Sequence, residues 1–109
     1  MNAINVRPKK WIHDEYPIKV LYDDGYYSVI WGKYNKDKVV GVRYNDDDNE
    51  SEIGYPHQGA NPTWYIEPDF IAIAILQRLL LLALDRDKNA DLNNIKYAIN
   101  ELTNKMKRA

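Results

Sequence analysis

The sequence contains no cysteine, one phenylalanine, two serines and no paired glycines among its 109 residues. Without cysteine there is no disulfide framework, no thiol nucleophile and no thiolate metal site. The serines, Ser28 and Ser51, stand outside any G-x-S-x-G turn, so an acyl-transfer nucleophile lacks its usual setting. The glycines occur singly at 25, 32, 41, 54 and 59, which excludes a glycine-rich phosphate loop. No charge sign dominates: 15 Lys and Arg stand against 16 Asp and Glu, a net charge of −1. Such a balance offers no global field for nucleic acid or an anionic membrane. The longest apolar run, from Phe70 to Leu84, is interrupted by Gln77 and Arg78, and a spanning helix needs about 20 apolar residues. The basic N-terminus, with Arg7, Lys9 and Lys10, has no apolar stretch behind it, so a cytoplasmic location without membrane association is expected.

What the chain has in excess is rings with a polar edge: nine Tyr and three Trp. Ten of these twelve fall between Tyr16 and Tyr65. The length fits one domain, read as an N-terminal arm (1–16), a β-sheet region (17–66) with an acidic loop (45–54), a buried helix (68–84) and an amphipathic helix (91–107). In the sheet region, Ile18–Tyr22, Tyr26–Tyr34 and Val39–Tyr44 are rich in β-branched and aromatic residues. Asp23-Asp24-Gly25 and Asn35-Lys36-Asp37-Lys38 turn the chain between them, and Thr63–Ile66 gives a short fourth strand. Pro68 suits the start of a helix, with Glu67 and Asp69 at the positive end of its dipole. Leu92, Ile95, Ile99, Leu102 and Met106 are spaced 3, 4, 3 and 4, the stripe of a second helix. The fold class is therefore α+β: a three- to four-stranded antiparallel meander followed by two C-terminal helices on one face of the sheet.

Candidate chemistry is sparse. Asp85 to Lys96, between the helices, resembles the EF-hand loop in its oxygen ligands at the first, third and fifth positions. Ala90 replaces the turn glycine and Lys96 the bidentate glutamate, so the segment reads as a polar interhelical loop. The run Asp46-Asp47-Asp48-Asn49-Glu50-Ser51-Glu52 has consecutive oxygens with no spacing that wraps an ion, and suits weak contact with a basic partner. His13 and His57 lie in no helical ligand pairing. No metal and no cofactor is expected.

The loop from Gly54 to Tyr65 carries Pro56, Pro62 and a concentration of rings and amides. Backbone restriction by proline and rigid Tyr and Trp beside amide side chains are features of protein-recognition surfaces. The partner-binding candidates are Tyr27, Trp31, Tyr55, His57, Gln58, Asn61, Trp64 and Tyr65, with a second aromatic face of the sheet expected to stay open. Leu79 to Leu82 cover every direction of the first helix, which points to a homodimer through Leu79, Leu80, Leu82, Leu92, Ile95, Ile99 and Leu102. Tyr22-Asp23-Asp24-Gly25-Tyr26-Tyr27 resembles the Asp-Gly turns and aromatic strands of SH3-like and Tudor-type barrels, but the two helices lie outside that pattern.

The expected function is a small non-enzymatic interaction module, of adaptor, inhibitor or immunity type, whose partner is another protein. One alternative is a small-molecule binder or minor enzyme, with Tyr, Trp, His57 and Glu67 converging between sheet and helices. The other is nucleic-acid binding through Arg7, Lys9 and Lys10 beside Arg43 and the rings, a reading the acidic run opposes.

Overall fold

A computed structural model describes residues 2–45 and 53–108 of the chain. The acidic run at 46–52 therefore lies outside the described residues. A short 3₁₀ helix, Ala3–Asn5, precedes strands β1 (Trp11–Ile12), β2 (Lys19–Asp23), β3 (Tyr27–Tyr34), β4 (Asp37–Tyr44), β5 (His57–Gln58), β6 (Asn61–Pro62) and β7 (Tyr65–Glu67). Helices α1 (Asp69–Leu84) and α2 (Leu92–Arg108) follow. β1 and β2 both pair with β3, β4 pairs with β3, and β7 pairs with β4, all antiparallel. The α+β meander with two C-terminal helices is thus the observed architecture. At the β2–β3 turn, Asp24 Oδ1 accepts the backbone N–H of Tyr26 and Tyr27 at 2.9 and 2.8 Å, and Asp23 Oδ1 accepts that of Gly25 at 2.9 Å. The short carboxylates shape the turn directly. Among the described residues no helix is long and apolar enough to cross a membrane.

The period-2 alternation of β3 and β4 sorts the sheet into two cores. Val29, Trp31, Val40 and Val42 meet Ala72, Leu76 and Leu79 of α1 and Ile95, Ala98 and Leu102 of α2. On the opposite face, Ile30 and Val39 meet Ala3, Val6, Trp11, Ile18 and Trp64. This corrects the expectation of an open second aromatic face. The N-terminal arm folds back over it, and Trp64 donates its Nε1–H to the Val6 carbonyl at 3.3 Å. Gly32 and Gly41 make room: a Cβ on Gly32 would stand 2.9 Å from Trp11 Cζ3, and one on Gly41 3.0 Å from Trp11 Cη2. Glycine within these strands marks the close approach of an indole.

The helices are tied to the sheet at both ends. Lys105 bridges Asp37 and Asp69 at 2.9 Å each, and Lys38 meets Glu101 at 2.9 Å. Asp91 caps α2 by accepting the Asn94 N–H at 3.0 Å. The interhelical loop covers the outer edge of β2: Asp91 N–H donates to Leu21 O at 2.9 Å, and Asp23 N–H to Asn89 O at 3.0 Å. Pro68 flanks α1 in an extended conformation, one position before the helix begins.

Candidate functional site

Directly opposed residues of an antiparallel ladder share a face, and this rule gathers four tyrosines. Tyr27 of β3 opposes Tyr44 of β4, and Tyr44 opposes Tyr55 across an isolated bridge. Tyr65 of β7 opposes Val42, two residues before Tyr44 on the same face. That is the face the helices cover, yet the cover ends within one step. Val40 and Val42 are buried, whereas Tyr44, Tyr55 and Tyr65 are 58%, 56% and 57% exposed. Tyr27 is half-buried against the core, its ring 4.8 Å from that of Tyr44 in an edge-on contact. Burial pushes the Tyr27 hydroxyl above its ordinary pKa, with Tyr44 and Glu67 adding to the shift.

Beside this rim projects the β5–β6 hairpin, in which His57 opposes Pro62 and Gln58 opposes Asn61. His57, Gln58, Gly59, Ala60 and Asn61 are all exposed. The Tyr55–Pro56 peptide bond is cis. Thr63 N–H closes the base of the hairpin on Pro56 O at 3.0 Å, and His57 Nδ1 lies 2.9 Å from Gly59 O.

The loop is held from beneath by a buried arginine. Arg43 on β4 is wholly shielded from solvent. Its Nε–H donates to Asn45 Oδ1 at 3.0 Å, and its Nη1 to Thr63 O at 2.6 Å and Pro56 O at 3.3 Å. Nη2 donates to Ile53 O. Asn45 passes its own amide N–H to Ser28 Oγ at 2.8 Å. The guanidinium also sits 5.8 Å from the Trp64 ring. Burial pulls its pKa below the ordinary arginine value. One side chain therefore engages carbonyls at the start of the 53–63 segment and at both sides of the hairpin base. Gly54, with φ +65°, fits where Tyr44 and Tyr55 exchange N–H···O bonds of 2.8 and 2.7 Å. A Cβ there would overlap the Tyr44 carbonyl and stand 2.8 Å from Arg43 Nη2.

Of the residues singled out in the sequence, Tyr55, His57, Gln58, Asn61 and Tyr65 are exposed together on the rim and hairpin, with Tyr27 half-buried behind them. Trp31 and Trp64 are 0% and 5% exposed, one in each core, and leave the candidate surface. Trp31 is turned inward by strand parity and donates its Nε1–H to Tyr16 Oη at 2.9 Å. The dimerisation candidates are also drawn inward: Leu79, Ile95 and Leu102 are buried, Leu80, Leu82 and Ile99 pack against them, and Leu92 is half-buried. The sequence reading missed Tyr44, and it set Arg43 on an open surface beside the rings, not buried beneath the loop. The signal was present, because Arg43 shares parity with the inward Gly41 and Val39 and precedes Asn45 by two residues. Burial of Arg43 also takes that residue out of the basic group, with Arg7, Lys9 and Lys10, on which the nucleic-acid reading drew.

A second polar cluster sits between the sheet and α2. Tyr16 Oη donates to Glu101 Oε1 at 3.1 Å, and Tyr97 Oη to the same oxygen at 3.3 Å. Lys38 Nζ donates to it at 2.9 Å and lies 5.0 Å from the Tyr16 ring centroid. Lys38 first, then the two hydroxyls, hold the Glu101 carboxyl below its usual range, while burial pushes the Tyr16 hydroxyl well up. An open cavity of about 540 Å³ lies between Ile4, Lys19, Lys88 and Asn94. His57 and Glu67 do not line it. Among the described residues no three His, Cys, Asp or Glu side chains group as a metal site. No protein-family model, curated protein or solved structure matches the chain.

Proposed function

We propose that the protein is a small cytoplasmic, non-enzymatic interaction module that binds another protein through the tyrosine rim and the adjoining hairpin. The observation that carries this reading is the row Tyr44, Tyr55 and Tyr65, each more than half exposed on adjacent segments. Tyr offers a large amphipathic area with few torsions to immobilise, which suits it to interface anchors. The platform is preorganised: Arg43 and the Tyr44–Tyr55 bridge fix the backbone under the rings, so little ordering remains on binding. The sequence joins Tyr44 to Tyr55 through a run holding five carboxylates, which favours a basic partner and speeds its encounter at low salt.

The test is cross-linked capture from source cells with the wild-type chain and with a Y44S/Y55S/Y65S variant that keeps its circular dichroism spectrum. Loss of a captured protein by at least tenfold, and an association rate that falls with added salt, supports the reading. Equal capture by the folded variant refutes it.

A further inference from the structure

The outward side of α1 exposes a run of large aliphatic and aromatic side chains. Phe70, Leu81 and Leu84 are 73%, 58% and 59% exposed, Ile71 is exposed beside them, and Ala74 lies between. Only Gln77 and Arg78 interrupt this stripe. α2 shows the ordinary pattern in the same chain: its exposed positions are Asn93, Lys96, Asn100, Lys107 and Arg108, with Met106 the one apolar residue among them. Exposed apolar surface of this extent marks an association site.

We propose that this face is covered by the α1 helix of a second copy, packed antiparallel. Three observations select that occupant. First, Phe70, Ala74, Gln77, Leu81 and Leu84 are spaced 4, 3, 4 and 3, the seam on which copies of one helix interlock. Turned about a two-fold axis between Gln77 and Arg78, Ala74 faces the partner's Leu81, so a small side chain receives a large one at two symmetric places. Second, the antiparallel sense sets each helix N-terminus beside the other's C-terminus, which the peptide dipoles favour. It also brings Arg86, an exposed residue just beyond α1, toward the partner's Asp69, whose Oδ1 already holds Lys105 of its own chain. A net charge of −1 does not oppose self-association. Third, the four large side chains present roughly 400 Å² of apolar surface, and Ala74, Gln77 and Arg78 raise the face to roughly 600 Å² per copy, or about 1,200 Å² for the pair, the lower limit for a specific interface. The dimer is accordingly concentration-dependent. It uses none of the tyrosine rim, so each copy keeps that surface.

Sedimentation equilibrium of the full chain is expected to show an apparent mass rising from 12.8 kDa toward twice that value between about 5 and 300 µM, the range suited to so small an interface. Phe70→Glu and Leu81→Glu both sit at exposed positions and should each weaken dimerisation at least tenfold, with unchanged circular dichroism. The cysteine-free background allows the geometry to be read as well. Under mild oxidation Gln77→Cys is expected to form a covalent dimer, while Phe70→Cys, about 20 Å from its counterpart in this arrangement, does not. A wild-type chain that stays at monomer mass overturns the proposal and leaves the face to a different protein. Dimerisation insensitive to both glutamate variants, or equal cross-linking at 70 and 77, overturns it too.

Discussion

Replacing Arg43 by methionine keeps much of the side chain's apolar volume and removes all its donors. Thr63 O, Ile53 O and Asn45 Oδ1 then lose the hydrogen bond the guanidinium gave them, while Pro56 O retains the Thr63 N–H. Each buried acceptor left without a partner costs about 1–3 kcal/mol. Relief from burying a cation offsets part of the sum, since an apolar replacement of a buried charge can be neutral when no partner is stranded. Three stranded acceptors outweigh that relief, and the expected net loss is about 3 kcal/mol. Arg43→Lys keeps the charge but not the planar fork that reaches several carbonyls at once, so it should lose about 2 kcal/mol. In urea titration a loss of 3 kcal/mol moves the midpoint by about 2 M at a slope near 1.5 kcal/mol/M. Hydrogen exchange at the Tyr44 and Tyr55 amides should speed up more than exchange in α2, because Arg43 anchors the 53–63 segment and not the helices. A loss below about 0.5 kcal/mol in both variants, or uniform acceleration of exchange, would refute the clamp.

Gly54→Ala is expected to destabilise by more than 2 kcal/mol, because the left-handed backbone and the Tyr44 carbonyl both reject a Cβ; chemical denaturation reads it directly. Gly32→Ala presses on Trp11 Cζ3 and Ile18, costing about 1–3 kcal/mol, and should shift the tryptophan emission along with the thermal midpoint. At low pH, Glu101 has a depressed folded-state pKa, so its stabilisation is complete above the ordinary carboxylate range and lost as pH falls through the folded value. Acid unfolding followed by circular dichroism should be shallower in Glu101→Gln. At high pH the sign reverses: Tyr16 is pushed up, its contribution is complete below about pH 10, and stability declines above that. Tyr16→Phe should flatten that alkaline limb.

Layer order and helix positions were legible because strand alternation and the stripe from Leu92 to Met106 are local signals. The sequence also marked the segment from Gly54 to Tyr65 as unusual. What it could not convey was which rings turn inward. Trp64 and Tyr65 are neighbours in sequence, yet strand parity sends one into the arm-covered core and the other to the rim. The covering of the second face by Ala3, Val6 and Trp11 depends on a contact spanning 58 residues between Trp64 and Val6, and no local pattern encodes it. The first helix misled for a related reason. An apolar cylinder signals burial in every direction, and only packing decides that Leu79 goes in while Leu81 stays out.

The division of the three tryptophans between the two cores gives this chain its own pair of optical probes. Trp31 reports on the helix-covered side through its bond to Tyr16. Trp11 and Trp64, with ring centroids 6.5 Å apart, are close enough for their transitions to couple in the near ultraviolet. A Trp31→Phe chain would therefore reveal docking of the N-terminal arm alone, and a Trp64→Phe chain would lose the coupled signal while still reporting on the helices. Closure of each side of the sheet can be timed separately, with no foreign dye attached.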